Sequence, residues 1–379
     1  MAVVTESIGT VGRDRSTIAL WEAALDDDVV YDAGDDAVGE CYNDSAFDEA
    51  FPLDGGSTLG LASVELTVAA GERHDGTAGT GVRNVHSVAR NMPSVASNGV
   101  EYLIKWIEND CNGKNSDGFL FPGSGGADEL TLRGIFNILY HGSIGNTSTR
   151  FGVNHGYDGP FSLANSIFYD LQYQFNIQTR IIKLSDVTNT ASAFNVTLHD
   201  CGATNAGASA GCNGFEYDTA TAGNVQNCIA TDFATAGGGT AVCFGTINAT
   251  GNVDHNLSSD TTASGTGSLT EKTAADQFVS ITGGSEDLHL KAGSDAEGAA
   301  TPVASVTDDI DGDTRDATNP DIGADEFVSA FAPKGYGRPP RRPGGRLINV
   351  VCPDDDEYEE DTKCKAKVRR FMWPLFGRM

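Results

Sequence analysis

Short apolar runs punctuated by Gly, Asn, Thr and Ser recur through the middle of the chain, and one set of them is built around asparagine. Aligning "GIFNILYHG", "SLANSIFYD", "SAFNVTLHD" and "NVQNCIATD" places Asn137, Asn165, Asn195 and Asn227 between apolar neighbours, with Asp170, Asp200 and Asp232 five positions later in three of the units. "IKWIEND" offers Asn109 as an earlier member, giving spacings of 28, 28, 30 and 32 residues. A second set falls between these, in "GFLF" (Phe119), "RFGV" (Phe151), "RIIKL" (Ile181), "GFEY" (Phe215) and "VCF" (Cys243 to Phe244). Two interleaved sets at one period mean at least two strands per repeat. Helical solenoids share such periods, but these units are β-branched, aromatic and Gly-rich and lack a long 3.6-residue pattern. The fold this predicts is all-β, a right-handed parallel β-helix (solenoid). Alternate apolar side chains fill a central column, and Asn109, Asn137, Asn165, Asn195 and Asn227 form a ladder of stacked turn amides.

A stack of rungs exposes apolar faces and unpaired edges at its ends, so caps are expected. Residues 1–95 are less repetitive and read as an N-terminal cap with the first strands. The cap contains one short helix in "STIALWEAALDD", with Ser16 as N-cap and Ile18, Leu20, Trp21 and Leu25 as its apolar set. Residues 96–250 carry the rungs, and 251–327 the last rungs and the C-terminal cap. Beyond them, 328–379 form an extended arm: a Pro/Gly/Arg linker, an acidic loop and a basic, aromatic end.

Composition supports this division. Of 379 residues 46 are glycine, and the net charge is −28. The tail 331–379 holds 11 of the 25 basic and 7 of the 53 acidic side chains, so it carries +4 while the body carries 14 − 46 = −32. So acidic a body repels nucleic acid. The N-terminus shows no signal-peptide pattern and no apolar run long enough to span a bilayer, so the expectation is synthesis in a host cytoplasm and no membrane partner. Eight cysteines make no Cys-x-x-Cys pair, which argues against zinc and for buried thiols, with Cys352 and Cys364 able to pair only in an oxidising setting.

"SIGTVGRDRSTIALWEAAL" with "GECYND", "LTVAAGERHDGTAGTGV", and "SGTGSLTEKTAADQFVSITGGSEDLHLKAGSDA" followed by "DDIDGDTRDATNPDIGADEF" resemble right-handed parallel β-helix proteins common in bacteriophage and environmental viral sequences. The resemblance covers both caps and, more loosely, the rungs, over residues 5–327. The chain departs from it at Glu297–Pro302, where "EGAATP" replaces an expected Asp-Ala-Gly turn. Members share a pectate-lyase-like fold, and many are virion or surface proteins. The resemblance therefore implies a non-enzymatic structural component of a phage particle, a capsid decoration or fibre-type protein on the virion surface, expected as a homotrimer. The alternative is a tailspike-like protein that binds or degrades host glycan.

Fold alone confers no activity. For an enzyme, carboxylate pairs would do the work. The candidates are Asp200 beside His199, Glu216 with Asp218, His155 with Asp158, and Lys183 with Asp186. Asp170, Asp200 and Asp232 are expected at equivalent points of successive rungs, ending strands and binding turn amides. The aromatic patch of Phe168, Tyr169, Tyr173 and Phe175 would be part core and part exposed. In the arm, "VRRFMWPLF" offers Arg369, Arg370, Phe371, Trp373 and Phe376 as an anchor on other virion proteins. No cofactor or metal site is read. The spacing Asp309, Asp311, Asp313 suggests a calcium loop, but with Gly312 at the sixth position Thr307 and Thr318 occupy the ends, where carboxylates are needed. The segment instead reads as a turn with an ion pair to Arg315, followed by a final strand sealing the column with Ile322 and Phe327.

Overall fold

The computed structural model describes residues 2–50, 52–91, 99–114, 116–121, 133–145, 151–156, 160–173, 179–185, 191–204, 211–217, 223–236 and 238–328. They form a right-handed parallel β-helix of about seven turns. Among the described residues three parallel sheets run its length, of nine, eight and five strands. The first sheet begins at Val3–Ile8, Asp36–Cys41 and Ser63–Val68 and continues through Glu101–Lys105, Arg133–Phe136, Phe161–Ala164 and Ala191–Phe194 to Val253–Asp254. The second includes Glu108–Asp110, Leu139–Gly145, Ile167–Tyr173, Thr197–Ala203, Ile229–Thr231 and Leu257–Ser258. The third is the second set of apolar runs: Phe119–Phe121, Val153–His155, Thr179–Leu184, Cys212–Tyr217 and Ala241–Ile247.

The Asn-centred repeat spans the corner between the first and second sheets. Asn137, Asn165, Asn195 and Asn227 have φ of 54, 47, 53 and 57°, the left-handed conformation that lets the chain turn sharply in one residue and that Asn tolerates better than other residues with a side chain. Each N–H still donates to the next rung, as in Asn137 to the Ala164 carbonyl at 3.1 Å and Asn165 to that of Phe194 at 3.2 Å. Asn109 is not a member of this column. Lys105 pairs with Phe136, so the residue at the earlier corner is Trp106, with φ 66°, while Asn109 lies within the second sheet opposite Tyr140. His255, with φ 50°, follows Asn227 in the same column.

The interior is graded in side-chain size. In the second sheet Tyr140, Phe168, Leu198 and Ala230 lie in register, so the inward side chains shrink along the axis. Tyr140 packs on Phe119 and Phe168 with ring centroids 6.0 and 5.9 Å apart. Cys41, Cys111, Cys201, Cys212, Cys228 and Cys243 are buried in this column, where burial raises the thiols of Cys41, Cys201, Cys212, Cys228 and Cys243 far from reactivity.

At the N-terminal end a helix over Ile18–Glu22 covers the first turns. Its N-cap is Thr17, whose hydroxyl accepts from the Leu20 N–H at 3.1 Å, rather than Ser16. Leu20 faces solvent, while Ile18, Trp21 and Leu25 are buried. The Trp21 ring lies flat on Gly39, and its Nε1 donates to the Tyr31 hydroxyl at 3.1 Å.

The C-terminal segment contradicts the expectation of a lid. After Ala274–Gln277, a single helical turn, the antiparallel hairpin Phe278–Thr282 and Ser285–Leu290 and the turns that follow run along the flank of the β-helix and cover the outer face of the second sheet. Leu139, Ile167, Thr197, Ile229 and Leu257 form an in-register outward row. Its apolar members pack against Phe278, Leu288, Leu290, Ile310, Ile322 and Ala324 in a second core outside the column. Ile322 is fully buried there and residues 320–327 form no strand. The arm, with Cys352 and Cys364, lies outside the described residues.

A side chain at Gly39 would place its Cβ 2.6 Å from the Trp21 ring, so Gly39→Ala must lift the helix. The expected loss is about 1–3 kcal/mol in urea unfolding, typical of overpacking; a variant as stable as the parent would show that Trp21 does not seal the column.

Candidate functional site

The outer face of the second sheet carries two parallel rows. His141, Tyr169, His199 and Thr231 are in register on successive strands. Beside them Gly142, Asp170, Asp200 and Asp232 each take a left-handed φ of 69, 49, 45 and 58°. The aspartates thus fall at equivalent points as expected, but Asp170 and Asp200 kink strands that continue past them to Tyr173 and Ala203 rather than ending them.

Where this face meets the hairpin tip and Thr77 and Ala78, it borders a cleft of about 340 Å³ lined also by His141, Tyr169, Asp170, Glu286 and Asp287. His141 stacks on Tyr169 with centroids 4.8 Å apart and planes 9° from parallel. Its Nε2 bonds Glu108 Oε1 at 3.0 Å, and the same carboxylate accepts from the Gly79 N–H at 3.0 and 2.9 Å. Burial, with Asp200 and Glu286 close by, raises the half-buried Asp170 carboxyl to about 6, against the pull of His141. Burial likewise raises the Tyr169 hydroxyl well above its ordinary range.

Further along the flank the layer is tied to the corner column. The Asn165 and Asn227 amides donate to the carbonyls of Asp308 (2.7 Å) and Thr301 (2.8 Å), and Asn137 to that of Asp309. Only Asn227 and Asn195 bond each other, at 3.4 Å. The amides therefore fasten the outer layer more than they stack. Arg315 sits at the middle of it, 7% exposed. Its guanidinium donates to the carbonyls of Gly323 (2.8 Å) and Ala324 (2.7 Å) and to Asn165 Oδ1 (3.1 Å), and pairs with Glu326 at 3.3 Å. The aspartate turn is organised by Asp309, whose Oδ1 accepts from the N–H groups of Asp311 (3.0 Å) and Asp313 (2.8 Å). The ion pair of Arg315 is thus with Glu326 and not within the aspartate turn.

Glu108, Asp110 and His141 place ligand-type atoms within 4.8 Å of one another, as do His289, Asp311 and Asp325. In the first set Glu108 is committed to Gly79 and His141. In the second both imidazole nitrogens face carboxylates, which makes it an ion cluster. Hydrogen bonds account for both arrangements.

The sequence candidates do not converge. Asp200 is exposed beside the cleft, its carbonyl accepting from Gln172 Nε2 at 3.0 Å. Glu216 is buried on the third sheet, paired with Arg180 and accepting from Asn213 at 2.5 Å. Asp218, Asp158 and Asp186 lie outside the described residues, as do Phe175 and the anchor residues Arg369, Arg370, Phe371, Trp373 and Phe376. Phe168 and Tyr173 are core, and only Tyr169 faces the cleft side. Sequence reading missed His141 and His289, and gave Arg315 an aspartate of the turn as partner in place of Glu326. "LHL" at Leu288–Leu290 carried a signal, a polar residue alternating with two buried leucines.

These features define a right-handed parallel β-helix whose flank is covered by its own C-terminal layer. The chain matches no protein-family model, and no curated protein is significantly similar to it.

Two substitutions probe the site. Arg315→Met would strand several buried carbonyls and the Glu326 charge, and should cost about 3–5 kcal/mol in chemical unfolding; a loss below about 1 kcal/mol would show that these bonds contribute little. A raised carboxyl stabilises the fold below its unfolded value and loses that contribution as pH rises through about 6. Asp170→Asn should therefore gain about 1 kcal/mol at pH 8, allowing for solvent screening, and nothing at pH 4, read from melting at the two pH values.

Proposed function

We propose that the chain is a non-enzymatic structural component of a bacteriophage particle, a rigid β-helix displayed on the virion surface as a homotrimer and attached to other virion proteins through residues 328–379. The observation that carries this reading is the use made of the acidic side chains. Along the flank they cap turns, bind backbone amides or pair with Arg315 and His289, and Glu216 is held by Arg180 and Asn213. Catalysis by a carboxylate pair needs two groups free to exchange protons with a substrate. A stack of rungs welded along one side suits a spacer that must keep its shape. The arm supplies the complementary feature, Arg369 and Arg370 beside Phe371, Trp373 and Phe376, after a segment rich in Pro, Gly and Arg.

The tailspike-like alternative draws on one observation, the half-buried Asp170 in a cleft with His141 and Glu286. Release of reducing sugar from host polysaccharide, abolished by Asp170→Asn, would favour it.

Deleting residues 331–379 should leave the β-sheet circular dichroism and melting of the body within a few degrees of the full chain while abolishing co-sedimentation with particles. Arg369→Ala/Trp373→Ala in the full chain should weaken attachment in the same assay. A truncated protein that still binds particles fully would overturn the anchoring role.

A further inference from the structure

The hairpin side of the C-terminal layer is fastened by charge. His289 bonds Asp287 through Nδ1 and Asp311 through Nε2, the latter at 3.0 Å, and Asp325 approaches from the terminal segment. A ring with a carboxylate on each nitrogen donates from both, so it is the imidazolium. Asp75 and the buried, neutral His74 face the same place from the loop over 72–81. Asp309, Arg315 and Glu326 lie behind it. No lysine or arginine joins His289 in an ion pair among the described residues, so its proton is what separates three carboxylates.

Beneath the layer lies the row of Leu139, Ile167, Ile229 and Leu257, which would be solvent-exposed side chains on an outer sheet face without it. The β-helix interior forms its own core, distinct from this one. The layer and the column are thus two packing units sharing one sheet.

We propose that residues 278–327 form a proton-dependent clasp, docked on the second sheet while His289 carries its charge and released as a unit when the ring is deprotonated, uncovering the apolar row. This holds whether or not the virion reading is right.

The direction follows from linkage. Burial disfavours the imidazolium, but the Asp311 bond, the Asp311 and Asp325 charges and the Asp287 bond outweigh it and push the ring up to about 10. In the open layer it would titrate near its ordinary value, about 6.5. Between these values the docked state holds a proton that the open state has lost, and each pH unit multiplies the open fraction by up to about ten. Asp309, raised by burial and by Asp311 and Asp325 to about 7, acts in the same sense at lower pH, being neutral when docked and ionised when open. Acid closes the clasp and alkali opens it.

Hydrogen exchange of the full chain, read by mass spectrometry at pH 7 and 9 and corrected for the intrinsic rate, tests this. Protection in residues 278–327 should fall about a hundredfold while that of Glu101–Lys105 in the first sheet holds. In His289→Gln the pH dependence above 7 should vanish. Should that variant fail to fold, Asp287→Asn, which removes one carboxylate charge beside the ring and keeps the ring, should move the onset of opening to lower pH. Protection that is level in both regions, that falls in both together, or that keeps its pH dependence in His289→Gln, or an unmoved onset in Asp287→Asn, overturns the proposal.

Discussion

A parallel β-helix must turn its chain between sheets without leaving backbone groups unpaired, and here that constraint is met by a single left-handed residue repeated at the same height of each rung. At Asn137, Asn165, Asn195 and Asn227 the main chain bends, yet each N–H reaches the carbonyl of the next rung. Continuity of the ladder through the bend keeps the first and second sheets in register. It also fixes which side chains of the second sheet point inward, because shifting a strand by one residue would exchange its faces. Everything later in the fold inherits that choice, including the outward row of Leu139, Ile167, Thr197, Ile229 and Leu257.

The same residues have a second use. An asparagine in a left-handed bend meets its backbone needs through the main chain, so its amide is left to bond elsewhere. In a bare stack the partner would be the next asparagine. Here the partners are mostly carbonyls of residues 301–321. The column is both the corner of the inner fold and the attachment line of the outer one, which is why the C-terminal segment can run across several rungs without a strand ladder of its own.

The repeat, the β-helix and the corner asparagines were legible in the sequence because left-handed bends select few residue types and solenoid periods repeat. Asn109 misled because the corner before Asn137 is Trp106, a residue with no preference for that conformation, three positions earlier. The path of residues 278–327 was not legible, since a layer folded back on the rungs makes contacts remote in sequence and has no period. One local trace existed. "IFY" at Ile167–Tyr169 is buried on both faces, the mark of a sandwiched strand, whereas a sheet with a wet outer face would alternate. The role of Arg315 depends on acceptors from three separate stretches, the Asn165 side chain, the Asp308 carbonyl and residues 321–326, which no spacing announces.

Apolar contact alone would not place the outer layer. Its row of Leu139, Ile167, Ile229 and Leu257 presents much the same surface at successive rungs, and dispersion and hydrophobic burial are non-directional, so a layer held only by them could shift along the axis by one rung at modest cost. Polar bonds remove the degeneracy because each has its partner at one height. Arg315 meets Asn165, the Thr197 hydroxyl accepts from Ala324, and the Gly323 N–H reaches the Asn227 carbonyl at 2.8 Å. Burying charge to achieve this gains little net stability compared with apolar packing, but it sets a register that packing cannot. The cost is concentrated where carboxylates crowd around His289 and Arg315, so protonation acts most strongly on the outer layer, whereas the interior is filled mainly with apolar side chains and neutral thiols.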